Sequence, residues 1–118
     1  MGYQHVAYGS LELNQYGKEH KDVLESILES SIYAEEAFET IEFSQGEEKI
    51  WLDVANESWQ NYHDDTICHF LKEISIFIVD GASIECQGED GEHWRFLKVP
   101  EGWEEQNGYI EYKKGWLI

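Results

Sequence analysis

The chain has 118 residues, 42 % hydrophobic and 14 % aromatic, which suits one folded domain and excludes a disordered acidic tail. Twenty-five carboxylates face eight Lys and Arg, a net charge of −17, so a phosphate-contacting basic stripe cannot be built and direct nucleic-acid binding is excluded. A charge of about 2–8 is enough to keep a small domain soluble; the surplus adds self-repulsion and points to a use, with halophilic adaptation or drift as the plainer explanations.

Tyr3 to Leu13 alternates with period two, placing Ala7, Gly9, Leu11 and Leu13 on one face and Val6 and Tyr8 on the other, and predicts a strand. Asn14 to Gly17 reads as a turn. Lys18 to about Ala34 reads as one helix, with Val23, Leu24, Ile27, Leu28 and Ile32 in a stripe. A hairpin follows, Thr40 to Ser44 and Lys49 to Ala55, turning at Gln45-Gly46-Glu47. Asp64 to Ile74 predicts a second helix, with Ile67, Phe70, Leu71 and Ile74 at helical spacing and acids at its start, where the helix dipole favours them. Ser75 to Val79 fits either a continued helix or a strand. Ala82, Ile84 and Cys86 alternate as a strand. Gly88-Glu89-Asp90-Gly91 turns the chain into Glu92 to Val99, with Trp94 and Phe96 opposite Arg95 and Leu97. Pro100-Glu101-Gly102 ends that strand, and Gly108 to Lys113, after an Asn107-Gly108 turn, predicts the last one.

The order β-α-β-β-α-β-β-β predicts a single α+β domain over residues 1–118. Its form is an antiparallel sheet with two helices on one face, a ferredoxin-like variant with a C-terminal β extension. The opposite face is expected to carry many of the aromatics. The longest apolar stretch, Ile74 to Val79, is too short to span a bilayer. No secretory leader is visible, and Cys68 and Cys86 read as reduced thiols, so the expected compartment is the cytoplasm.

The segment Ile84 to Arg95, together with Met1-Gly2-Tyr3, resembles a group of small uncharacterised bacterial and phage proteins. They open on a Met-Gly-Tyr strand and carry a Gly-Glu-Asp…Trp-Arg hairpin near the end. The resemblance covers about a dozen residues closely and implies an architecture, with no activity attached.

Three segments could carry function. Between Lys21 and Lys49 stand nine acids and no cation: Asp22, Glu25, Glu29, Glu35, Glu36, Glu39, Glu42, Glu47 and Glu48. On a helix such spacing forms a row of carboxylates that imitates, at lower density, the charge line of DNA and attracts a Lys/Arg-lined cleft. The plain alternative is a solvated helix face. The second segment combines Glu89, Asp90, Glu92, Glu101, Trp103, Glu104 and Glu105 with Trp94 and Trp116, as aromatic anchors beside acids or as ordinary core tryptophans. The third, His63-Asp64-Asp65-Thr66-Ile67-Cys68-His69, contains metal-ligand residue types but no ligand spacing; Asp64 and Asp65 read more simply as helix caps. Cys68–His69 and Cys86–His93 are conceivable nucleophile pairs, although an inward Cys86 reads as an inert core thiol.

These features predict a binding protein, with no cofactor and no metal assigned. It would occupy the basic, nucleic-acid-binding surface of a partner, as a phage anti-defence, anti-CRISPR or DNA-mimic inhibitor. The expected contacts are Asp22, Glu25, Glu29, Glu35, Glu36, Glu39, Glu42, Glu47, Glu48, Glu89, Asp90, Trp103, Glu104 and Glu105. The alternatives are an immunity protein that neutralises a nuclease toxin, a small metal-assisted hydrolase using the His63–His69 segment, and an adaptor subunit paired through a sheet edge.

Overall fold

The computed structural model describes residues 4–61 and 64–107. Strand β1 (Gln4–Glu12) leads into three short helices, α1 (Gln15–Glu19), α2 (Lys21–Ser30) and α3 (Ile32–Ala37). The hairpin β2 (Thr40–Gln45) and β3 (Ile50–Asn61) follows, then α4 (Asp64–Ile74) with a single 3₁₀ turn at Ser75–Phe77. Strands β4 (Ser83–Gly88), β5 (His93–Val99) and β6 (Gly102–Asn107) complete the described chain.

All strand pairs are antiparallel, in the order β2-β3-β1-β4-β5-β6. The fold is therefore α+β with one six-stranded sheet. Its strand order as a whole differs from a four-stranded ferredoxin-like sheet. The period-two pattern decides which face each strand buries. Ala7, Leu11, Leu52, Val54, Ile84, Trp94 and Phe96 point to the helices and are buried. Tyr8, opposite Ala55 and Glu85, points away and is 68 % exposed. Among the described residues the helix-free face carries Tyr8 and Trp51, while Trp94 and Phe96 lie in the core.

The helix stripe of α4 is buried as its spacing predicts: Ile67, Phe70, Leu71 and Ile74 are each no more than 2 % exposed. Burying a side chain such as Phe70 contributes about 1.5–3 kcal/mol. The region predicted as one helix over 18–34 is different. Asn14 starts α1 by accepting from Gly17 N at 2.7 Å, and its amide donates to Ile76 O at 2.8 Å. Ser31 interrupts the next helix in extended conformation and caps α3, its Oγ accepting from Tyr33 N and Ala34 N. A serine hydroxyl offers nearby N–H groups an alternative to the helical ladder, which is why the chain breaks there. Beyond the break Ile32 is 64 % exposed while Ala34 and Ala37 are buried, and on α2 Val23 is 44 % exposed.

Helix α3 is then fixed against α4. Ser31 Oγ donates to Glu73 Oε1 at 2.6 Å, Tyr33 stacks on His69 with centroids 4.8 Å apart, and Phe38 meets Phe70 edge-on. Buried Asn56 holds the chain where α3 gives way to β2. It accepts from Glu39 N at 2.7 Å, donates to Ala37 O at 3.0 Å, and lies 3.4 Å from His5 Nε2. Gly17 is required by close approach: a Cβ there would lie 2.3 Å from Phe77 O.

Met1-Gly2-Tyr3, His63 and the predicted strand at 108–113 lie outside the described residues. The strand after Pro100 is β6, starting at Gly102 with φ +141. No helix among the described residues is long and apolar enough to cross a membrane.

Candidate functional site

The fourteen expected contact residues do not form one surface. Asp22, Glu25 and Glu29 stand on α2, and Glu35 and Glu36 on α3, with Glu39 just before β2. The row is therefore split at Ser31 and does not run along one continuous helix axis. Glu42 does not extend it. It lies opposite Asp53, and since its neighbours Ile41 and Phe43 pair with the buried Val54 and Leu52, it sits on the helix-free face. Glu47 and Glu48 occupy the β2–β3 turn.

The C-terminal group is distributed around the opposite sheet edge. Trp103 and Glu105 pair with Lys98 and Phe96, on the helix side, whereas Glu104 pairs with Leu97 and takes the other face. Glu89 and Asp90 lie in the β4–β5 turn. There Glu89 Oε1 accepts from Gln4 N at 2.6 Å, so this carboxylate fastens the turn to β1. Strands β2 and β6 are opposite edges of the sheet, separated by about 24 Å at ordinary strand spacing.

The cations on the β2 side divide the acids further. Lys21 bonds Glu25 at 3.0 Å and sits 4.3 Å over the Phe43 ring, Lys49 pairs with Glu12 at 3.8 Å, and Lys18 donates to Glu48 O. All three gather where α1, the start of α2 and the β2–β3 turn meet. Glu29, Glu35, Glu36 and Glu39 lie beyond them, and none forms an ion pair among the described residues.

Glu29, Glu35 and Glu39 surround a groove of about 330 Å³ whose floor is Leu28, Ala34, Phe38 and Ile41. Glu39 is further held by Ser58, whose hydroxyl and backbone N–H donate to its two oxygens at 2.7 and 3.0 Å. These bonds stabilise the ionised form and lower the Glu39 pKa from the usual carboxylate value. The groove thus presents apolar and acidic surface in comparable measure, with Glu39 held in place on its rim, an arrangement suited to a cation-bearing side chain or segment. Sequence reasoning found its acids and missed its floor. The available signal was Phe38 and Ile41 at the junction of a helix with an edge strand.

A second groove, of about 500 Å³, lies between α4 and β6. Trp103 forms one wall and donates its indole N–H to Leu71 O at 3.0 Å, joining β6 to α4, and half-buried Cys68 and Lys72 contribute to the lining.

The other chemical candidates separate. Cys86 is 3 % exposed and its thiol is pushed up to about 12, first by burial and then by the charges of Glu85 and Glu105. It pairs with Trp94, while His93 pairs with Gln87 on the other face, so thiol and imidazole do not converge. His69 stacks on Tyr33. Among the described residues no three His, Cys, Asp or Glu side chains come together as a metal site.

Comparison with protein-family models, curated proteins and solved structures returned no match.

Proposed function

We propose that this protein is an acidic inhibitor that docks on the basic, nucleic-acid-binding surface of a partner protein, of the phage anti-defence, anti-CRISPR or DNA-mimic type. The observation that carries the reading is the group Glu29, Glu35 and Glu39, beyond the lysine at the start of α2, which rims a groove lined also by Leu28 and Ile41. Glu36 of α3 adds to its field, and none of these four carboxylates forms an ion pair among the described residues. Such a field speeds encounter with a cationic surface and excludes nucleic acid from it. Glu29 lies in the last turn of α2, a turn that holds no basic residue. There a carboxylate opposes the helix dipole and costs a few tenths of a kcal/mol, a local disadvantage that a docking role would explain.

On the same footing we read β2-β3-β1-β4 as a ferredoxin-like unit extended by β5 and β6, and the compartment as cytoplasmic. Support comes from β1 lying between β3 and β4, and from Cys68 and Cys86, which form no disulfide.

The test uses the full chain as immobilised bait in a bacterial lysate at low salt, beside bait carrying Glu29→Lys, Glu35→Lys and Glu39→Lys. The expected result is a basic protein held by the native bait alone, released by salt as the Debye length contracts to a few ångströms, whose duplex-DNA binding the native protein blocks. Capture that is equal on both baits, or that persists in high salt, overturns the proposal.

A further inference from the structure

Strand β2 is the edge of the sheet, and among the described residues it pairs with β3 alone. An edge strand presents outward N–H and C=O groups that template another strand. Three properties of this edge specify what that strand would be. On the helix side it borders the groove floored by Leu28, Phe38 and Ile41 and rimmed by Glu29, Glu35 and Glu39. On the helix-free side Glu42 stands directly opposite Asp53, two like charges across one strand pair, an arrangement that destabilises a sheet. One buried carboxylate oxygen of Asp53 has no hydrogen-bond partner.

From these we infer that β2 receives an extended segment of the partner as a seventh strand, one that alternates apolar residues with Lys or Arg. The inference rests on the anionic-surface reading above and specifies how that surface is used. In an added strand, alternate side chains fall on opposite faces. Apolar residues on the helix side cover Leu28 and Ile41. Cations on the other side stand beside Glu42 and relieve its repulsion with Asp53. Cationic residues at the ends of the segment reach the groove rim. Main-chain hydrogen bonds provide affinity and the alternation provides selectivity, as in other cases of strand addition. Like charges along Glu39, Glu42, Glu47 and Glu48 keep a second copy of this chain off the same edge.

The experiment titrates the full-length protein at low salt with three blocked peptides: alternating valine and lysine of about eight residues, long enough to span the six residues of β2; the same peptide with prolines at alternate valines; and octalysine. Affinity is read together with amide hydrogen exchange of Thr40 to Gln45. The expected result is that the alternating peptide binds and protects β2 amides, that the proline peptide, which loses the ladder donors at its proline positions, binds more weakly, and that Glu42→Lys weakens the alternating peptide about three- to tenfold. If all three peptides bind alike and β2 exchange is unchanged, strand addition is overturned while the anionic surface stands. Protection at β6 in place of β2 overturns it as well. If no peptide binds, both readings fall together.

Discussion

Replacing Asn56 by alanine tests how the anionic segment is held. The side chain is 3 % exposed and serves both ends of the α3–β2 junction, accepting from Glu39 N at 2.7 Å and donating to Ala37 O at 3.0 Å. Removing it orphans one donor and one acceptor. Each buried unsatisfied group costs about 1–3 kcal/mol, and the Glu39 end is only partly buried, so water recovers some of that loss. The sum is about 2–4 kcal/mol. At about 4 °C per kcal/mol for a domain of this size, Tm should fall by roughly 8–16 °C. Thermal unfolding followed by far-UV circular dichroism measures it, and hydrogen exchange should show Glu39 N losing protection first. A fall below about 2 °C, with Glu39 N still protected, would refute the claim that Asn56 fixes the junction.

Gly17→Ala forces Cβ against Phe77 O and should cost about 1–3 kcal/mol in urea unfolding; an unchanged midpoint would show that α1 and the 3₁₀ turn can separate freely. The Cys86 thiol is raised in the folded state from 9.0 to about 12, so between those values the unfolded chain releases a proton that the native one retains. Stability should therefore be intact below pH ~9 and fall by up to about 1.4 kcal/mol per pH unit above it. Cys86→Val should flatten that slope, and identical pH profiles for the two proteins would contradict the assignment. Ser58→Ala removes the hydroxyl bond to Glu39 and should move its carboxyl titration upward in NMR, toward the ordinary range; no movement would mean that the hydroxyl bond contributes nothing.

Where local pattern and tertiary burial agree, the residues announced the structure. Helix α4 has its predicted bounds because Ile67, Phe70, Leu71 and Ile74 form one uninterrupted stripe. The β4–β5 hairpin follows from alternation around Gly88 and Gly91, the latter at φ +88. The region 18–34 misled because hydrophobic period was read without the breaks: the backbone leaves the helical conformation at His20, and Ser31 withdraws the N–H groups of Tyr33 and Ala34 from a continuous helix, and the period alone carries no record of either. The second helix face consequently buries Ala34 and Ala37 in place of Ile32. Lys98 illustrates a different gap. A lysine opposite Trp103 on the buried face is intelligible only once Asp80 and the carbonyl of Val99 are seen to hold its ammonium, at 2.9 and 2.8 Å. The candidate acids were legible as a count, but their division by Lys18, Lys21 and Lys49, and the separation of Glu42, Glu104 and Glu89 onto other faces and ends, depends on strand order and register.

Whether the charge acts by place or by amount is decided by one comparison. Two variants change net charge equally, one with Glu29, Glu35 and Glu39 each replaced by Lys, the other with Asp90, Glu101 and Glu104 so replaced, and the affinity of each for octalysine is measured across a salt series. A focused anionic region predicts that the first variant loses binding and most of its salt dependence while the second stays near the native protein. Equal losses in both would mean that the acids act only through their sum, and no docking face exists on α2, α3 and β2.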